Sequence, residues 1–158
     1  MTYDSRPDTL LHIATVNSEL NNFADELIVR GACHDSSKLY SPEVELFDEM
    51  TPMLKNLVYG SPAYAAFLER LKPALKHHYH YNSHHPEFYV NGIDGMNLYD
   101  LVEMYCDWKA ATKRNKDGDI VKSVAYNRVR FEMSDQLYNI FINTLEKEGL
   151  LGKDYPRV

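Results

Sequence analysis

Cysteine is scarce in this chain. Cys33 and Cys106 are the whole supply, too few for a disulfide framework. Long apolar runs are missing as well: no segment approaches the roughly 18 residues that a membrane-spanning helix needs. The N-terminus lacks a basic region followed by an apolar stretch, so no signal peptide is expected. Glycine and proline, seven each in 158 residues, build no linker or low-complexity tract, and there is no internal repeat. One domain over residues 1–158 is therefore expected, and the length suffices for a core without disulfide staples. Positive charge is in deficit, with 17 Lys and Arg against 23 Asp and Glu and a formal charge of -6. That balance argues against a binder of duplex nucleic acid, which is usually basic. No stretch alternates polar and apolar residues with period two, so strands are not expected either. What remains is a soluble, cytoplasmic, all-α chain whose 44% hydrophobic content is near the globular average.

The helices can be placed from caps and stripes. Asp8 after Pro7 reads as an N-cap, and His12, Val16, Leu20, Phe23 and Leu27 recur every three or four residues to about Ile28. That stripe turns His12 toward the core, where the alternative to a metal ligand is a hydrogen-bonded core histidine. Gly31 reads as a break. Ser41-Pro42-Glu43 has the chemistry of a helix start, with Val44, Phe47 and Leu54 as its buried side. Tyr59-Gly60-Ser61-Pro62 ends one element and opens the next, along which Tyr64, Phe67, Leu68, Leu71 and Leu75 recur. Pro73 predicts a kink or a new start there. Asn91-Gly92 and Asp94-Gly95 are turn signals within a loop from Phe88 to Met96. Asn97 then caps a helix to about Lys113, its apolar stripe running through Leu98, Leu101, Met104, Trp108 and Ala111. Lys113 to Asp119 reads as a polar loop, helix returns from Ser123, Ser134 caps the last one, and Gly149 stops it.

The chemistry concentrates in a few places. His34-Asp35 offers an imidazole and a carboxylate from adjacent positions, a pairing that suits zinc, iron, manganese and cobalt. Five histidines fall within nine residues, His77, His78, His80, His84 and His85, and Pro86 puts the last two at a bend. Asp107 lies beside the apolar stripe of its helix with Glu103 one turn earlier. A carboxylate there needs a partner, either a metal or an Arg. Lys38 can meet a phosphate as a point charge, and Arg30 and Arg130 are further anion-binding candidates. Asn82 and Glu87 are placed to orient imidazoles. The 12 tyrosines and Trp108 are read chiefly as core and rim packing.

The order of these residues, a helical His12, then His34-Asp35, then more histidines, then a distant Asp107, resembles the HD-domain metal-dependent phosphohydrolase superfamily. His34-Asp35-Ser36-Ser37-Lys38 looks like the His-Asp-x-x-Lys form of its two-metal branches. With Tyr59-Gly60-Ser61, Asn82-Ser83-His84-His85-Pro86-Glu87 and Glu103-Met104-Tyr105-Cys106-Asp107-Trp108, nearly the whole chain is similar to a small phage-associated family. The resemblance implies a helical bundle of HD-domain type. It implies one or two divalent transition-metal ions (Mn, Fe, Co, Ni or Zn), the first held by His12, His34, Asp35 and Asp107. A second ion would use His78 and His84, or His85, with Asp35 bridging.

Asp35, Lys38 and Glu87 are then the candidates for catalysis, and Lys38, Arg30, Asn82, His85 and Arg130 those for substrate contact. The function expected is hydrolysis of a small nucleotide or related phosphate ester by metal-activated water. Two alternatives stay open: a non-catalytic, metal-stabilised nucleotide-binding or phage inhibitor protein, and a di-iron oxygenase. The number of copies in solution, one or a homo-oligomer, is also left open.

Overall fold

Ser5, Pro7 and Asp8 assemble a helix start three residues earlier than the Asp8 cap would have it. In the computed structural model, α1 covers Arg6–Cys33, with Pro7 and Asp8 in its first turn and Arg30 in its last, both charges complementing the helix dipole. Gly31 does not end it; the chain leaves helical geometry at His34 (φ -51°, ψ 130°). The structure describes residues 3–54, 57, 61–114, 118–152 and 155, and of Leu54 the backbone alone. The turn expected at Tyr59-Gly60 and the centre of the polar loop, Asn115-Lys116-Asp117, lie outside the described residues, as does the Leu54 side chain. The chain divides into two units, one ending at His34 and one beginning at Asp35. The first consists of α1, and a lone helix encloses no core of its own.

The second unit is also helical, and no strand occurs among the described residues. It holds α2 (Glu43–Leu54), α3 (Pro62–Tyr81), α4 (Leu98–Thr112), α5 (Ile120–Arg130) and α6 (Asp135–Lys147). Short 3-10 turns stand at Ser36–Leu39, Pro86–Phe88 and Gly92–Gly95. Ser61 caps α3 by accepting from the Tyr64 N–H. The helix then runs through Pro73 without the new start that is one of the two expectations there, so the histidines at 77, 78 and 80 ride on its last two turns. The expected loop from Phe88 to Met96 contains the Gly92–Gly95 3-10 turn, and the Pro86–Phe88 turn leads into it. At Asn97 a reciprocal capping box with Asp100 starts α4. Asp119, with its side chain accepting from Val121 and Lys122 N–H groups, starts α5 three residues ahead of Ser123. Ser134 caps α6. Gly149 (φ 72°) ends it in a Schellman motif, its N–H on the Glu146 carbonyl and that of Leu150 on Leu145.

Two apolar clusters form inside this second unit. α2 and α3 bury Met50, Phe67, Leu71 and Ala74. A larger cluster joins α4, α5 and α6 through Met104, Tyr105, Val124, Tyr138, Phe141 and Leu145. Trp108 belongs to it, stacked on Phe131 with ring centroids 6.3 Å apart. The expected α4 stripe is thus partly right: Met104 is buried, but Leu98 is exposed because it occupies the first helical turn.

Candidate metal centre

The stripe that buries α3 does not stop at its apolar residues. Phe67, Leu71 and Ala74 are followed at the same spacing by His78, and all four are buried. His78 is 1% exposed, which puts an imidazole where the pattern calls for a hydrocarbon. α2 does the same from the other side. Glu43, at helical spacing from Leu46, Phe47 and Met50, is 0% exposed, although its sequence context suggested only a carboxylate favoured by the helix dipole.

The two buried polar groups answer each other. Glu43 accepts from His78 Nδ1 at 3.0 Å and from His77 Nδ1 at 2.7 Å, one imidazole per carboxylate oxygen. Ser37 Oγ also donates to Glu43 (3.1 Å), and Asn82 Nδ2 donates to Ser37 Oγ and to the His78 carbonyl, both at 2.8 Å. On the far side of the corner, His84 Nδ1 lies 3.0 Å from Glu103 Oε1. A carboxylate at Nδ1 holds the proton on that nitrogen and turns the Nε2 lone pair inward.

The inward nitrogens meet Asp35. Its backbone is left-handed (φ 55°, ψ 15°), at the head of the Ser36–Leu39 turn, a conformation that Asp tolerates better than most residues. Asp35 Oδ1 lies 3.0 Å from His78 Nε2 and 3.4 Å from His84 Nε2. His78 Nε2 and His85 Nε2 are 2.9 Å apart. One ligand atom from each of Asp35, His78, His84 and His85 falls within 4.8 Å of all the others. Ligands held about 2.0–2.2 Å from a tetrahedral ion stand roughly 3.4 Å from one another, so the spacing fits. Three imidazole nitrogens and a carboxylate that converge in a largely buried place form a donor set able to hold a metal ion.

Electrostatics agree with the geometry. Burial, aided by His84 and His78, pushes the His85 imidazole down to about 2, which keeps it in the neutral form a metal takes. For Asp35, burial works to raise the carboxyl, but the close imidazoles of His78 and His84 and the Lys38 ammonium outweigh it and hold the carboxyl well below the usual carboxylate range. Lys38 Nζ sits 2.6 Å from Asp35 Oδ2 and 5.1 Å from the centre of the Phe47 ring.

The other sequence candidates are distributed as follows. Asp107 on α4 offers a carboxylate oxygen within 4.8 Å of a His84 ring nitrogen. His12 and Arg30 ride on α1 and His34 closes the first unit, whereas the four convergent ligands all belong to the second. Glu87 and Arg130 are brought to each other, at 2.6 Å. They line a cavity of about 440 Å³ with Tyr89, Ile93 and Phe131. Asn82 supports the network at His78, and His85, expected chiefly at the substrate, stands among the metal donors.

Sequence reasoning did not give Glu43, His77 or Ser37 a place in this corner, and it gave Glu103 no imidazole partner. The signals were present: a carboxylate on the buried stripe of α2, and three acids, Asp100, Glu103 and Asp107, along one face of α4. No helix among the described residues is long and apolar enough to cross a membrane. Neither the curated proteins nor the solved structures contain a match to the chain. A family model does match, over residues 1–147, and the chain accordingly belongs to the family of unknown function DUF5662.

Proposed function

We propose that this protein is a metal-dependent phosphohydrolase of HD-domain type, acting on a small nucleotide or related phosphate ester. The observation that carries the reading is the convergence of Asp35, His78, His84 and His85 on one point, with Glu43 and Glu103 holding two of the imidazoles from behind. Nitrogen-rich donors with one carboxylate favour Zn, Fe, Mn, Co or Ni over Mg or Ca. Such an ion supplies a coordinated water acidic enough to ionise near neutrality. The chain's own groups do the rest. Asp35 contributes the negative charge of the donor set, and Glu43 and Glu103 fix ring orientation. Lys38, a third exposed, can turn from Asp35 to a phosphate oxygen. His34 and Asp107 flank the corner in sequence and in α4, and His12 completes the resemblance.

Metal analysis of the purified protein, followed by a nucleotide panel with and without Mn²⁺, tests the reading. We expect bound transition metal and metal-dependent phosphate release. Asp35→Asn, which suits the left-handed turn, should remain helical by circular dichroism and lose turnover. Retained turnover in that variant would overturn the proposal.

One observation favours a second reading. Four protein donors can close a tetrahedral ion completely, as structural zinc sites do. A non-catalytic, metal-stabilised nucleotide-binding protein would then bind ligand without turnover and unfold on chelation.

A further inference from the structure

We propose that Asp100 is a positioning residue for the metal centre, acting through Ser83 to set the His84-His85 corner. The inference rests on Asp35, His78, His84 and His85 being a metal site. The ligands reach that site by different routes. His78 is placed by the hydrogen-bond ladder of α3. His84 and His85 come from a segment between α3 and α4 that has no such ladder, and the His85 backbone is extended (φ -100°, ψ 129°). Something outside the segment must fix it.

Asp100 touches that segment at three points. Its Oδ1 accepts from Ser83 Oγ at 2.7 Å, immediately before His84. Its Oδ2 accepts from Tyr89 Oη at 2.5 Å, in the middle, and from the Asn97 N–H at 3.1 Å, at the end. Gly95 lets the middle contact form: a Cβ there would stand 2.7 Å from the Tyr89 Cβ. Helix capping alone does not account for this arrangement. A capping-box carboxylate needs one oxygen and can stay in water, yet Asp100 is 0% exposed and commits its second oxygen to Ser83. Burying a carboxylate is costly unless donors surround it, and these donors are the residues that shape the ligand loop. The same face of α4 then continues through Glu103 to His84 Nδ1, so one row of acids aligns Ser83 and His84 in succession.

Co²⁺ titration of the full chain, followed by the visible absorption of the bound ion, separates positioning from simple stabilisation. Asp100→Asn and Ser83→Ala should each weaken Co²⁺ binding about 10–100-fold, the range for loss of outer-shell partners, and change the visible spectrum as His84 shifts. Asn97→Ala removes the cap of the same helix but leaves the Ser83 tie. It should lower Tm by about 2–4 °C with Co²⁺ affinity and spectrum unaltered. Should Asp100→Asn fail to fold, Ser83→Ala carries the test. Wild-type affinity and spectrum in Ser83→Ala would overturn the inference. Absence of Co²⁺ uptake by the unaltered protein would overturn the metal reading itself, and this inference with it.

Discussion

The second unit buries two kinds of interior. Between α4, α5 and α6 the buried residues are almost entirely apolar, Met104, Val124, Phe141, Ile142 and Leu145 among them. At the end of α3 the buried residues are Glu43, His78, His84 and Asp100, each at most 2% exposed. The first interior stabilises the fold by removing hydrocarbon from water, at about 25 cal/mol per Å². The second takes charged and polar groups out of water, which is unfavourable unless every donor and acceptor is matched. A chain that needed only stability would fill the α3 end as it fills α6. The contrast marks the candidate site: apolar burial is concentrated in one region, and the convergent imidazoles and carboxylate in the other.

The contrast can be broken in several ways. The largest effect is expected from His78→Ala. Glu43 keeps the donors His77 and Ser37, so the variant should fold, while Zn²⁺ affinity measured by calorimetry falls by about 100-fold or more. Leu145→Ala, in the apolar interior, should do the opposite. Cavity formation there costs about 3 kcal/mol, or about 6–12 °C in Tm, with Zn²⁺ affinity unchanged in the folded protein. If both variants lost metal and stability together, the two interiors would not be separable.

Acid should expose the polar corner by a different route. The unfolded chain protonates His85 near its ordinary pKa of about 6.5, whereas the folded chain holds that imidazole down to about 2. The unfolded state therefore binds more protons in this window. Stability of the metal-free protein should fall as pH drops below about 6.5, by up to about 1.4 kcal/mol per pH unit. Asp35, whose carboxyl is also depressed, adds a loss in the same direction below about pH 4. Urea unfolding from pH 7.5 to 4.5 measures the slope, and His85→Gln should flatten it. The smallest effect belongs to neither interior. Ser134→Ala, at the start of α6, should lower stability by about 1 kcal/mol and leave both metal affinity and the pH slope alone.

Much of the fold could be read from the chain because its signals are local. Asn97, Ser61 and Ser134 cap where their sequence contexts place them. Gly149 stops α6 by a conformation that glycine adopts freely. Misplaced boundaries trace to competing local signals. Pro73 reads as a kink or a new start, but no new start occurs, because a helix of 20 residues with a buried stripe on both sides of it tolerates one missing N–H. Gly31 reads as a stop, yet α1 continues to Cys33. The site was legible in its residue types and less so in its pairings. His78, His84 and Asp35 declare themselves as candidate ligands by chemistry. That Glu43 reaches His77 and His78 across 34 and 35 residues is a tertiary fact, which no helical period announces. The buried stripe of α2 carried the hint, but the carboxylate in it was read only as favouring the helix dipole.

The left-handed turn at Asp35 has a consequence for which side chains that position can accept. Glutamate would preserve the negative charge but fits the turn poorly, while asparagine and glycine fit the turn and lose the charge. Backbone and chemistry thus impose separate filters, and aspartate is the one amino acid that passes both. Position 35 has almost no room to drift, whatever the neighbouring sequence does.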